Sequence, residues 1–224
     1  MIPWKHLDTA VVPDQGGELR LMQRGHEFSI MAGAIELMNS RLSGSEEALA
    51  TLTCERLAGR AGPSILIGGL GMGFTLRAAL GAWGADARMT VAELVPSIVA
   101  WARGPLADVF DGCLDDPRVS IHTCDVGDLI HGPQGEWDAI LLDVDNGPDG
   151  LTRAANDGLY SPAGLQAARA ALRPGGVLAV WSSAPDDAFT RRLKRAGFAV
   201  EEARVRASRT GRGAKHMIWL AKRP

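Results

Sequence analysis

The chain has 224 residues, 46% of them hydrophobic and 22% charged, with a formal net charge of −2. That size and composition suit an ordinary globular protein that buries a core without disulfides or a structural metal. The near-neutral charge argues against nucleic-acid or membrane-surface binding as the main role.

At the N-terminus, residues 1–17 show no basic-then-apolar leader, and no apolar run approaches a membrane span. Residues 18–23, 27–31 and 34–38 are short, partly alternating runs, punctuated by Arg24-Gly25-His26 and Ala32-Gly33. They predict a small β meander. Ser45-Glu46-Glu47 opens a helix to about Leu57, with Ser45 as its cap and the glutamates well placed in the first turn. Residues 1–60 thus read as a small N-terminal β segment plus a helix, and residues 61–224 as one Rossmann-like domain.

Within that domain, residues 64–67 are a short apolar strand ending in Gly68-Gly69, followed by a helix over 75–82. Residues 89–92 form the next strand, ending at Glu93, and Pro96 begins a helix carrying Ile98, Val99 and Trp101. A third strand at 119–122 has Asp125 just beyond it, and a fourth at 139–142 ends at Asp143. A helix over 161–172 leads through a turn at Pro174-Gly175-Gly176 into a strand at 177–181. A helix over 186–195 is stopped by Gly197, and strands at 199–205 and 216–221 finish the chain. Nearly all-apolar strands alternating with helices predict an α/β fold, a mostly parallel sheet covered on both faces. Residues 207–214 are only loop-sized, so the last two strands are expected to form an antiparallel hairpin.

Polar residues recur where these strands end, which is where open α/β sheets bind ligands. Gly68-Gly69-Leu70-Gly71-Met72-Gly73 permits positive φ and lets a ligand touch the backbone, although a tight strand-to-helix turn has the same needs. Glu93 lies about 20 residues after Gly73, where a carboxylate accepts the hydroxyls of a ribose. That pair fits NAD or S-adenosylmethionine. Asp125 with Val126 points to the second, because the acid can accept an adenine amino proton and the next backbone N–H can donate to the ring. Asp125 is equally placed to cap a helix. Asp143 can hold a cationic group or accept a proton. Asp145 and Asp149 are near it, in a segment, Asp145-Asn146-Gly147-Pro148, that also suits a plain turn.

At these residues the chain resembles the spermidine synthase superfamily, the polyamine aminopropyltransferases and their methyltransferase-like relatives. The likeness runs from about residue 18 to 205. Its carriers are Ile65-Leu66-Ile67-Gly68-Gly69 with Thr75-Leu76-Arg77, Ala92-Glu93-Leu94, Asp116-Pro117-Arg118-Val119, Asp125, residues 137–143, Leu159-Tyr160-Ser161 and residues 172–176. The resemblance implies a class I methyltransferase-like fold and a homodimer. It also implies a site in which Gly68, Gly69, Gly71, Gly73, Glu93, Leu94, Asp125, Val126 and Asp143 hold S-adenosylmethionine or its decarboxylated form. Asp143 would contact the attacking amine as the catalytic residue, orienting or deprotonating it, and Tyr160 lies at a family position beside the cleft.

The departures concern the acceptor side. The family's GGGDGG loop is GGLGMG here. Its upstream Gln falls at Glu36, its Tyr-His-Glu at Ser45-Glu46-Glu47, and the second aspartate of its D-S-x-D-P segment at Asn146, with Asp145 as a stand-in. Glu36, Asp145 and Tyr160 are therefore the candidates for substrate contacts.

The expected function is an S-adenosylmethionine-dependent transferase, methyl transfer ranking above aminopropyl transfer, with a small-molecule acceptor such as an amine. A non-catalytic nucleoside-binding or assembly protein is the alternative of a different class. Arg204, Arg206, Arg209, Arg212 and Lys215 concentrate charge in the last loop, which reads as a solvated hairpin tip rather than an RNA grip because no aromatic residues interleave. The tryptophans after residue 80 and His122 read as structural. Cys54, Cys113 and Cys124 form no CxxC and do not cluster with histidine, so free thiols without zinc in a cytoplasmic protein are expected.

Overall fold

The computed structural model describes residues 2–13, 17–144, 157–208 and 213–224. Two sheets organise them. The first is an antiparallel meander in chain order, β1 (Lys5–Val11), β2 (Glu18–Arg24), β3 (Glu27–Ala32) and β4 (Ile35–Asn39). Strand β1 has no counterpart in the sequence reading. Its residues KHLDTAV are mostly exposed and lack a clean apolar alternation, so pairing with β2 defines it rather than its own pattern. Asp8 of β1 accepts a hydrogen bond from Trp101 Nε1 (2.7 Å), tying this edge strand to the helix over Pro96–Arg103.

Helix α1 (Gly44–Arg56) follows. The expectation that Ser45 caps it is corrected: Ser43 holds the cap position without a side-chain bond, and Ser45 is fully buried inside the first turn. The chain then builds β5 (Ser64–Gly68), α2 (Phe74–Ala82), β6 (Arg88–Ala92), α3 (Pro96–Arg103), α4 (Ala107–Phe110), β7 (Val119–His122), α5 (Val126–Ile130) and β8 (Trp137–Leu142). It finishes with α6 (Asp157–Tyr160), α7 (Pro162–Ala171), β9 (Leu172–Ser182), α8 (Asp187–Arg195), β10 (Ala199–Arg206) and β11 (Lys215–Lys222).

The seven strands of the second sheet run in the order β10-β11-β9-β8-β5-β6-β7. From β9 through β7 every pair is parallel, while β11 joins β9 and β10 antiparallel, giving the expected hairpin. Strand alternation divides the core in two. Ile65, Ile67, Ala139, Leu141, Val177 and Ala179 face Leu49, Leu76 and Trp101 from α1, α2 and α3. Leu66, Ile140, Leu142, Leu178 and Val180 face Val126, Leu165, Ala168 and Phe189 from α5, α7 and α8. The all-apolar strands are thus explained by burial on both faces. The Pro174-Gly175-Gly176 turn is also corrected. Strand β9 begins earlier, at Leu172, which pairs with Trp137, and pairing resumes at Val177 with Ala139, so the Pro-Gly-Gly segment is an irregularity within the strand.

Asp138 on β8 is nearly fully buried and accepts from Ser64 N (2.9 Å), Arg173 Nη1 (2.5 Å) and Arg60. These bonds satisfy a carboxylate that burial alone would make costly. Among the described residues no helix is long and apolar enough to cross a membrane.

Candidate functional site

Strand β5 is flanked by β6 on one side and β8 on the other, so the chain reverses its winding direction there. A crevice opens outside the carboxyl ends of strands at such a crossover point. Here it is a cavity of about 360 Å³. Gly69, Glu93, Asp125 and Asp143 lie along the strand ends, and Leu19, Ile35, Leu37 and Met38 of the meander cover them.

The glycine loop is shaped by crowding. Gly69 has φ +90°, and a Cβ there would stand 2.5 Å from the Asp143 carbonyl oxygen. The loop crosses the end of β8 so closely that only glycine passes. Gly73 (φ +77°) occupies the cap position of α2, where a Cβ would meet the Phe110 ring at 2.5 Å. Gly69 and Gly71 line the cavity, while Gly68 and Gly73 fit the turn against Val126 and Phe110 without lining it.

Glu93 is 7% exposed. Its Oε2 accepts from Leu70 N (2.9 Å) and its Oε1 from Val95 N (2.8 Å), so one carboxylate clasps both the glycine loop and the turn into α3. Burial pushes its carboxyl above the usual range, opposed by these amides and those of Gly71 and Leu94. Asp125 lines the cavity and also caps α5, with Oδ1 accepting from Gly127 N (2.7 Å). Leu94, Val126 and Cys124 line the same space. Burial and the nearby Asp128 and Asp125 raise the Cys124 thiol, which is the wrong direction for a nucleophile.

Asp143 follows β8 at the cavity's far end. Its N–H donates to Gly68 O (3.0 Å) and its Oδ2 accepts from Thr75 Oγ1 (2.6 Å). Burial, then the charge of Glu46, push its carboxyl up to about 7 against the threonine bond. A smaller space of about 70 Å³ adjoins the main cavity here, walled by Met38, Glu46, Leu70, Phe74, Asp143 and Trp181. Burial also raises the Glu46 carboxyl. Glu46 is the functional candidate that sequence reasoning missed. The first turn of a helix explains an acid fully, and only the Ser45-Glu46-Glu47 match to the family's Tyr-His-Glu pointed elsewhere.

The acceptor candidates separate from this cluster. Glu36 is exposed on β4, where it accepts from Ser29 Oγ (2.7 Å) and pairs with Arg41 (3.2 Å), while Ile35, Leu37 and Met38 of that strand reach the cavity instead. Tyr160 is 3% exposed in the core beneath the sheet, edge-on to Phe189, and does not line the cavity. Asp145 and Asp149 lie outside the described residues, as do Arg209 and Arg212 of the basic loop. The tryptophans after residue 80 are all buried.

No protein-family model matches the chain. It is 34% identical over 146 residues to a polyamine aminopropyltransferase of Mycobacterium tuberculosis (strain ATCC 25618 / H37Rv). The match covers 61% of this chain, which spans only 27% of that relative. A solved spermidine synthase in complex with the transition-state analogue AdoDATO superposes with a TM-score of 0.76 at 18% identity, over 98% of this chain and 73% of the other. The 1,6-didemethyltoxoflavin-N1-methyltransferase of Burkholderia thailandensis, solved with S-adenosylhomocysteine, gives 0.57 at 19% identity, over 81% and 79%. The structural match takes in nearly the whole chain. Over part of its length the chain is similar in sequence to polyamine aminopropyltransferases, and it shares the fold of the solved spermidine synthases.

Proposed function

We propose that this chain transfers a carbon group from an S-adenosylmethionine-type sulfonium to an amine, and that aminopropyl transfer from the decarboxylated form is the favoured chemistry. One observation carries the reading: among the described residues, the side chains of charged type that line the main cavity are Glu18, Glu93, Asp125 and Asp143, all carboxylic, with no lysine, arginine or histidine beside them. Such a lining attracts cations. The decarboxylated form carries a sulfonium and an amine with no carboxylate to oppose them, so it gains most. The sequence ranked methyl transfer first because the acceptor motifs depart from the family. The acidic cavity and the aminopropyltransferase names of the curated relatives reverse that order.

The residues fit the ligand. The volume lies in the usual range for small-molecule sites. Glu93 keeps lone pairs for the ribose hydroxyls, and Asp125 Oδ2, unused by the helix cap, is available to the adenine amino group. When bound, the sulfonium supplies an electrophilic carbon and a good leaving group. Asp143 orients the attacking amine and takes up its proton, and the meander keeps bulk water away.

Methyl transfer to a small amine remains as a second reading, favoured by the positions of Glu36 and Tyr160 outside the cavity. Calorimetric titration with S-adenosylmethionine, its decarboxylated form and methylthioadenosine separates them. Tighter binding of the decarboxylated form, with product from 1,4-diaminobutane, is expected. Preference for the intact form supports methyl transfer. No binding of any of the three at millimolar concentration refutes both. The reading carries a homodimer as well, which sedimentation measures directly.

A further inference from the structure

Aminopropyl or methyl transfer to an ammonium releases a proton. The amine nitrogen forms its bond to carbon as the carbon–sulfur bond breaks with its electron pair going to sulfur, and one proton must leave per turnover. Asp143 is the first acceptor, and it stands beside a second acid, Glu46, in the wall of the small cavity.

Behind Glu46 runs a part-buried hydrogen-bonded chain. Ser45 Oγ lies 2.6 Å from Glu46 Oε2 and 2.8 Å from His216 Nδ1. Ser45 is fully buried, whereas His216 on β11 is half-buried and stands at the end of the chain nearest solvent. The geometry is held from outside: Gly44 N donates to Ala207 O (2.8 Å), pinning the start of α1 to the β10–β11 hairpin, and Trp181 packs edge-on against the His216 ring at 4.9 Å. A feature outside this chain also points to a ligand in the small cavity. Trp181, 9% exposed, is one of its walls, and its indole Nε1 has no hydrogen-bond partner among the described residues. A buried donor without a partner is costly unless something else supplies the acceptor.

We propose that Glu46 is the second carboxylate of the acceptor cavity and that Ser45 and His216 carry the acceptor's proton from it to solvent, an inference that rests on the transferase reading above. A hydroxyl both donates and accepts, so the chain has two self-consistent arrangements. With Glu46 ionised, His216 Nδ1–H donates to Ser45, which donates to Glu46. With Glu46 protonated, Glu46 donates to Ser45, which donates to an unprotonated Nδ1, and the ring proton sits on Nε2. Transfer along the second arrangement places a proton on Nδ1. Loss of the Nε2 proton to solvent then leaves the first arrangement, and a tautomer shift of the ring resets it. Thr75 on α2, bonded to Asp143 Oδ2 and 3.3 Å from the main-chain carbonyl oxygen of Glu46, holds Asp143 against the backbone of the first turn of α1. The groups facing Glu46 are Glu47 on α1, Asp143 after β8, Thr75, and His216 through Ser45. Burial favours the neutral His216 ring, as the relay requires.

The test reads the ring tautomer directly, by long-range ¹H–¹⁵N spectra of the full chain between about pH 5 and 9. In the wild type, His216 is expected to change from Nδ1–H to Nε2–H as pH falls through the Glu46 titration. In Glu46→Gln the tautomer should stay fixed, and in Ser45→Ala it should lose its link to the carboxylate. Added 1,4-diaminobutane should move the wild-type midpoint to lower pH. With decarboxylated S-adenosylmethionine and 1,4-diaminobutane, Ser45→Ala should lower kcat by about tenfold or more, with KM little changed, at the low end of lost acid–base assistance. A wild-type ring with one constant tautomer, or a switch that survives in Glu46→Gln, overturns the relay, as does unaltered turnover in Ser45→Ala. An intact switch in a protein that binds neither cofactor form overturns the transferase reading instead.

Discussion

Glu93→Gln is the sharpest probe of the site, because this carboxylate does two jobs at once. Its two oxygens accept from Leu70 N at 2.9 Å and Val95 N at 2.8 Å. Glutamine offers one oxygen, so its amide nitrogen must face one of those N–H groups. The loss of one charge-assisted hydrogen bond costs about 1.5–3 kcal/mol, part of it offset because a neutral side chain is easier to bury. A ribose hydroxyl that donated to the same oxygen loses a bond of about the same size. With about 1.4 kcal/mol per factor of ten, affinity should fall roughly 10- to 100-fold. Calorimetry with methylthioadenosine is the assay, since that ligand tests the nucleoside half without the sulfonium. Thermal melting alongside it reports the loop's share, and Glu93→Asp, which keeps the charge on a shorter arm, should fall between the two. If Glu93→Gln binds within twofold of wild type at an unchanged melting temperature, Glu93 is a loop clasp and not a ribose ligand.

Three further outcomes follow from the same geometry. Asp143 has its carboxyl raised from 3.8 to about 7, so the folded state holds more protons than the unfolded one across that window, and stability should fall as pH rises through it and level off above. Asp143→Asn should flatten that dependence and melt higher than wild type above about pH 7; an unchanged slope in denaturant titrations at several pH values would refute the assignment. Gly69→Ala forces a side chain into a left-handed φ of +90° and to 2.5 Å from the Asp143 carbonyl. It should cost at least about 1–2 kcal/mol and abolish nucleoside binding, read by melting and calorimetry, and full binding would show that the loop yields. Asp138→Ala orphans Ser64 N–H, Arg60 and Arg173. Because both guanidiniums keep solvent contact, a loss of about 3 kcal/mol is expected by urea titration, the low end for a broken buried ion pair, with cofactor affinity retained.

The strands that meet the cavity were legible because they are short, apolar and followed at once by glycine or acid. Ile65 to Gly69 and Ala139 to Asp143 carry both signals. Burial on two faces demands the first, and the open carboxyl edge permits the second. The cap of α5 was legible for the same local reason, since Asp125 accepts an amide of its own helix's first turn, at Gly127, whereas Ser161, read as part of its helix, proves to be the cap of α7, accepting from Gly164. Strand β1 was not, because an exposed edge strand has no pattern of its own to read.

Sequence by itself determined the α/β alternation, the glycine loop and the line of acids at Glu93, Asp125 and Asp143, since each follows from neighbours along the chain. Tertiary structure alone decided which acids share a space. Glu36 and Glu46 look equally suitable as letters, yet β4 leaves Glu36 in an exposed pair with Arg41, and α1 delivers Glu46 to Asp143. The link from Ser45 to His216 joins positions 171 residues apart. No local pattern encodes such a meeting, which exists only because the β10–β11 hairpin returns to the start of α1.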